Sequence, residues 1–210
     1  MMINALDMAT SNCIFTVGHS DHNLEDFIQL LKRHSIEVVV DTRSHPSSRH
    51  CPHFNAASMH PALTASGIKY VYMGKELGGR PKAADFYDDR GHVLYWKVAE
   101  SQLFKTGLQR VKNGAAKYRL ALMCAEENPA NCHRRLLIGR VLAKEGFQLG
   151  HIRASGLVEP EMGIGKRGGD TESQLDMFMR KDEAELWKST QSVLPRDPRR
   201  SFLAPSKKLR

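Results

Sequence analysis

The sequence predicts an α/β protein: a single doubly wound, mainly parallel five-stranded sheet with helices on both faces, followed by a C-terminal helical extension and a basic tail. Two observations predict it. Five short apolar runs recur with helical patterns between them, as in a βαβ series, and the polar and glycine residues gather just after those runs, where a parallel sheet carries its ligand loops.

The predicted strands are Ile14 to Val17, Val38 to Val40, Tyr70 to Met73, Leu120 to Cys124 and Phe147 to Ile152. After the first, Asn23 can cap a helix in which Leu24, Phe27, Ile28 and Leu31 fall at i, i+3, i+4 and i+7, one apolar stripe to lay on the sheet. After the fourth, Asn131 is the expected cap of a helix that buries Leu136, Leu137, Val141 and Leu142 and closes at Gly146. Gly67 ends the segment before the third strand in the same way. Two stretches, Thr42 to Ala57 and Gly74 to about Val93, are too long for simple connections, and the second leaves room for a short helix. One further helix is expected over about Ser173 to Lys188. The divisions are therefore an α/β domain over 12–155, an extension over 156–194 and a tail over 195–210.

With 41% hydrophobic and 26% charged residues, the 210-residue chain can bury a core. Its formal charge of +8 suggests nucleic acid until it is mapped. Six basic residues (Arg196, Arg199, Arg200, Lys207, Lys208, Arg210) stand against Asp197 in the tail, so +5 of the +8 lies there. The body is close to balanced, and nucleic-acid attachment is expected, if anywhere, through the tail. The N-terminal residues carry Asp7 where an export signal needs apolar ones, and no run approaches the roughly 20 apolar residues that span a bilayer. A cytoplasmic protein without membrane attachment is the expectation. Cys13, Cys51, Cys124 and Cys132 are then expected as free thiols.

Four strand-end loops hold the candidate chemistry: Gly18-His19-Ser20, Asp41-Thr42-Arg43 running on to Ser48 and Arg49, Leu77-Gly78-Gly79-Arg80, and Met123-Cys124-Ala125-Glu126 running on to Arg134. Taken singly, Asp41 suits a turn, His19 a hydrogen-bonded strand end, and Gly78-Gly79 a bend. Arg43 and Arg49 flank Pro46, Ser47 and Ser48, a set of bidentate donors and hydroxyls suited to phosphate or carboxylate. The densest stretch runs from Cys124 to Arg134. With Asn131 as cap, Cys132, His133 and Arg134 would occupy a helical first turn that favours an anion or a thiolate, which makes Cys132 the better candidate for a depressed pKa. Cys124, at the end of a buried strand, reads first as a packed hydrophobe. Nine residues separate Cys124 from Arg134, too many for a phosphatase-like anion loop. Adjacent helical residues diverge by about 100°, so a base for Cys132 is sought elsewhere, as in His19. Cys124, Cys132 and His133 could hold zinc, but the spacing is not that of a known knuckle and a fourth ligand is missing, so no cofactor is assigned.

Together, GHS (Gly18 to Ser20), DTRSHPSSR (Asp41 to Arg49) with Phe54, LGGR (Leu77 to Arg80), MCAEENPANCHR (Met123 to Arg134) and His151-Ile152 resemble, in order, the domain of unknown function 488 family. The resemblance runs from about Ile14 to Ile152. It implies a mostly prokaryotic, intracellular α/β domain and no particular reaction. The sequence departs from the family pattern at Ser35, where a glycine commonly ends the first helix, and after Phe86, where the usual aromatic-Met pair is not clear.

The leading expectation is an enzyme, a hydrolase or transferase, acting on a small anionic or phosphorylated substrate such as a nucleotide or nucleic-acid end. Arg43, Ser48, Arg49, Gly78, Gly79, His133 and Arg134 would bind the substrate. Asp41, Glu126 or His19 would handle protons, and Cys124 or Cys132 would supply a nucleophile. The alternatives are a non-catalytic nucleic-acid-binding or adaptor module and a metal-stabilised structural domain.

Overall fold

The computed structural model describes residues 12–164 and 187–193. Six strands form one sheet: β1 (Cys13–Gly18), β2 (Val38–Asp41), β3 (Lys69–Tyr72), β4 (Leu120–Cys124), β5 (Gln148–Ile152) and β6 (Val158–Pro160), in the order β3-β2-β4-β1-β5-β6. The first five are parallel, and β6 pairs antiparallel with β5 at the edge. The expected five strands are thus present, and a sixth extends the sheet past residue 155. Val158-Glu159-Pro160 has neither length nor alternation to announce a strand, and Pro160 is tolerated there because the strand lies at an edge.

The parallel strands are buried on both faces, so their residues alternate between two cores. Val38, Val40, Leu120 and Leu122 enter one; Phe15, Val17, Val39, Ala121 and Met123 enter the other. Helix α1 (Leu24–Arg33) packs Phe27, Ile28 and Leu31 on the second face, joined by Met59 and Leu63 of α2 (Ala56–Ala65). The opposite face receives the short α3 (Gly74–Leu77) and α4 (Tyr95–Glu100), then α5 (Gln102–Ala115) and α6 (Arg140–Lys144). A last turn, α7 (Glu161–Ile164), follows β6.

The N-terminus of α1 is capped as the sequence predicts: the Asn23 side chain accepts from the Asp26 amide at 2.7 Å. Its C-terminus turns through a backbone conformation that favours glycine. Ser35 sits at φ 53°, in the left-handed region, so that Ile36 N–H can reach back to the Leu31 carbonyl at 3.0 Å.

The helix after β4 begins differently from its prediction. Asn128, not Asn131, caps a 3₁₀ turn over Pro129–Asn131, and Cys132 is extended at φ −90°, ψ 139°. His133 opens the helix, whose first six residues, Arg134–Gly139, are wound as a π-helix before α6. Pro129 favours this early turn and displaces the start by one or two residues. Within 74–93 lie α3 and a 3₁₀ turn at Ala84–Phe86. The helix expected over 173–188 lies outside the described residues except for Trp187 and Lys188, and Lys188 forms an antiparallel bridge with Leu94. The tail over 195–210 also lies outside them. Among the described residues no helix is long and apolar enough to cross a membrane.

Candidate functional site

The strand order decides where the chemistry collects. The chain leaves β1 and β2 across one face of the sheet and leaves β4 across the other, and β4 lies between β1 and β2. Neighbouring strands whose connections diverge open a crevice at their carboxyl ends. A pocket of about 500 Å³ occupies it, bordered by the ends of β1, β2 and β4. That volume suits a small molecule. From the other side it is walled by residues 189–193, which are clipped to the segment before α4. Ser189 donates its amide to the Val93 carbonyl at 2.9 Å, and its hydroxyl accepts from the Val93 amide at 2.9 Å.

On the β2 side Asp41 is fully buried. It accepts from the Arg43 amide, from Arg43 Nε at 2.9 Å and Nη2 at 2.7 Å, and from the Tyr70 hydroxyl at 2.7 Å. Arg43 Nη2 also donates to the Phe54 carbonyl, and Nη1 to His19 Nε2 at 3.0 Å. A guanidinium can only donate, so His19 Nε2 carries the lone pair and Nδ1–H donates to the Ser20 carbonyl. Burial, reinforced by Arg43, pulls the His19 pKa down to about 4. His19 is therefore neutral, and its lone pair is already occupied. Asp41 orients Arg43 from beneath. Arg43, His19, Ser48 and Gly79 line the pocket.

On the β4 side four side chains converge. Cys124 Sγ donates to Glu126 Oε2 at 2.7 Å, and Cys132 Sγ to the same oxygen at 3.0 Å. His133 Nδ1 stands 3.6 Å from Cys124 Sγ and 3.9 Å from Cys132 Sγ. One ligand-type atom from each of the four lies within 4.8 Å of the others. The sequence argument that adjacent residues diverge presumed both to be helical; the extended Cys132 brings its thiol beside the imidazole that follows it. Glu126 provides the fourth donor that spacing alone did not reveal.

The supports of this cluster are specific. His133 Nε2–H donates to the Thr42 carbonyl at 3.1 Å, which turns Nδ1 toward the thiols, and although burial opposes protonation, Cys132 and Glu126 raise the His133 pKa. Thr42 is held by its amide and hydroxyl on the Met123 carbonyl. Gly79 lies flat against the ring, where a Cβ would come within 2.6 Å of His133 Cγ. Gly18 allows the returning backbone to pass, since a Cβ there would overlap the Glu126 carbonyl.

Arg134 is fully buried and points away from the pocket. Its guanidinium donates to the carbonyls of Glu126 and Glu127 and, through Nε, to Thr16 Oγ1 at 3.2 Å. Behind it, Thr16 Oγ1 bonds His151 Nδ1 at 2.8 Å, and His151 Nε2 bonds Glu161 Oε2 at 2.7 Å. A buried chain thus ties α7 to the loop that carries Glu126.

Electrostatics overturn one expectation. Burial, together with the neighbouring Cys124 thiol, pushes the Cys132 pKa well above its ordinary value. Cys132 precedes the helix instead of lying in its first turn, so the helix does not depress it. Although burial opposes ionisation of Glu126, the two thiol hydrogen bonds hold its carboxyl down to about 2. Of the other predicted residues, Arg49 is exposed beside the pocket without lining it, and Gly78 packs against Ser44 and the Gly74 carbonyl. Arg80 and the 189–193 wall were not singled out in sequence. Arg80 follows the two glycines and was legible, whereas nothing local marks residues 189–193 as a neighbour of Val93.

The family model for the domain of unknown function DUF488 matches residues 23–141, more than half of the chain. The chain belongs to this family. The match spans Asp41, Arg43, Gly79 and the whole cluster from Cys124 to His133, while His19, β5 and α7 lie outside it. No curated protein and no solved structure matches this DUF488 chain.

Proposed function

We propose that the protein is a cytoplasmic enzyme that acts on a small anionic or phosphorylated substrate, a nucleotide or nucleic-acid end, in the pocket at the β1–β4 crevice. The observation that carries the reading is the convergence of unlike groups in one cavity. Arg43 is fixed at one wall with four of its five N–H groups held by described residues, so the remaining Nη1 hydrogen is presented in a set direction. Ser47, Ser48 and exposed Arg80 add donors, and Cys124, Glu126 and His133 line the same cavity. Preorganised donors and reactive groups in one cavity are what group transfer to or from an anion needs. Four free thiols agree with a reducing compartment.

Calorimetric titration of the full chain with inorganic phosphate and with a nucleoside monophosphate tests the reading. Saturable binding that weakens by about tenfold or more in Arg80→Ala supports it. Because Arg80 is exposed, this variant leaves the core intact. The absence of binding by either ligand, or equal binding in the variant, contradicts it.

A further inference from the structure

We propose that Cys124, Cys132, His133 and Glu126 bind one zinc-class divalent ion, with Glu126 as the exchangeable ligand facing the pocket. The metal site stands on its own geometry; only the exchange at Glu126 rests on the reading of the pocket as an active site.

The donor set comes first. Two sulfurs, an imidazole nitrogen and a carboxylate oxygen suit a borderline-soft ion and do not suit magnesium or calcium, which take oxygen shells. Zinc–ligand lengths of about 2.0–2.3 Å at tetrahedral angles require sulfur–nitrogen separations of about 3.5 Å. The two observed values are 3.6 and 3.9 Å. The Glu126 oxygen, at 2.7 and 3.0 Å from the sulfurs, is closer than the roughly 3.6 Å that a shared ion requires. It sits where thiol protons now hold it. Loading replaces the protons of Cys124 and Cys132 by the ion and releases both to solvent, and the carboxylate moves back by less than about 1 Å. Glu126 is the exposed member of the four and lines the pocket, so it is the ligand free to move.

The surroundings complete the argument. A ligating histidine ordinarily gives its other N–H to a carbonyl or carboxylate, which fixes the tautomer. His133 does this toward Thr42, with Gly79 against its ring. The loop that carries Glu126 is held through its backbone by Arg134, and among the described residues no lysine or arginine pairs with the carboxylate. A Cys124–Cys132 disulfide is the rival use of the same atoms, but both cysteines are free and the imidazole and carboxylate face both sulfurs.

The full chain, stripped with chelator and kept under a phosphine reductant, is titrated with cobalt(II), with circular dichroism verifying the fold. The expected result is uptake of one equivalent with tetrahedral visible bands and a thiolate-to-cobalt charge-transfer band, both displaced by zinc. Cys132→Ser should weaken uptake by more than about a hundredfold, and Cys13→Ser, outside the cluster, should leave it unchanged. Folded, reduced wild type that takes up no stoichiometric cobalt or zinc overturns the metal site, as does Cys132→Ser binding like wild type. Inorganic phosphate is then added to the cobalt form. A shift of the visible bands supports exchange at Glu126. Calorimetric phosphate binding without a shift overturns the exchange and leaves the pocket reading standing. Metal uptake without any phosphate binding overturns the exchange and the pocket reading together, and leaves the metal site.

Discussion

The Nε2–H of His133 reaches the carbonyl of Thr42 at 3.1 Å, which turns Nδ1 toward Cys124 and Cys132 at 3.6 and 3.9 Å. One backbone carbonyl at the end of β2 thereby sets the chemistry of a cluster that begins at the end of β4.

Gly79 holds that arrangement from the other side. In Gly79→Ala the new Cβ would fall 2.6 Å from His133 Cγ, and the ring must turn. Cobalt uptake by this variant is expected to weaken by about ten- to a hundredfold, the range found when support of a ligating histidine is lost. Unchanged uptake would show that the ring has slack.

Ser35 offers a stability prediction that touches no chemistry. A non-glycine residue in the left-handed region costs roughly 1–2 kcal/mol, and Ser35 sits at φ 53°. Ser35→Gly should stabilise the protein by about 1 kcal/mol, after the greater backbone freedom of glycine in the unfolded chain is allowed for. Urea unfolding measures it, and a lower midpoint would count against the assignment.

The family resemblance made Ser35 noticeable, whereas most of the fold was legible from the residues themselves, because α1, β2 and β4 follow strong local rules of capping and apolar patterning. β6 was missed because three residues ending in Pro160 carry no pattern, and its strand character comes from pairing with β5. At the site, the loops after β1, β2 and β4 were readable from strand position. Cys124, Cys132 and His133 were grouped as a possible zinc site, but Glu126 as the fourth member and the closeness of the Cys132 thiol to the His133 ring were not, because they depend on one backbone fact, the extended Cys132, that the expected cap at Asn131 does not give. Arg134 shows the opposite limit. Its type suggested an anion partner, but carbonyls of Glu126 and Glu127 hold it in the interior.

Arg134→Leu leaves those carbonyls and Thr16 without their donor. Unsatisfied buried groups cost about 1–3 kcal/mol each, partly relieved by relaxation, so a loss on the order of 3 kcal/mol is expected in urea unfolding. A change below about 1 kcal/mol would mean the loop stands without Arg134.

Acid should weaken the fold through buried histidines. Burial lowers the pKa of His34 despite its bond to the Gly156 carbonyl, and that of His151 despite Glu161. Both bind protons more readily when unfolded, so their contribution is complete above the unfolded value of about 6.5 and is lost as pH falls below it toward the folded values. Urea midpoints should therefore fall between about pH 7 and pH 5, and less steeply in His34→Gln. A fall as steep in His34→Gln as in the wild type would contradict the buried, neutral state of the His34 ring.

The central claim is that anions bind at the β1–β4 crevice and not through the basic tail. Nuclear magnetic resonance of the uniformly labelled full chain, titrated with inorganic phosphate, tests it most directly. The account predicts saturable amide shifts concentrated at Gly18 to Ser20, Arg43 to Ser48, Gly79 and Arg80, and Cys124 to His133. Shifts confined to residues 195–210, or none that saturate, would contradict it.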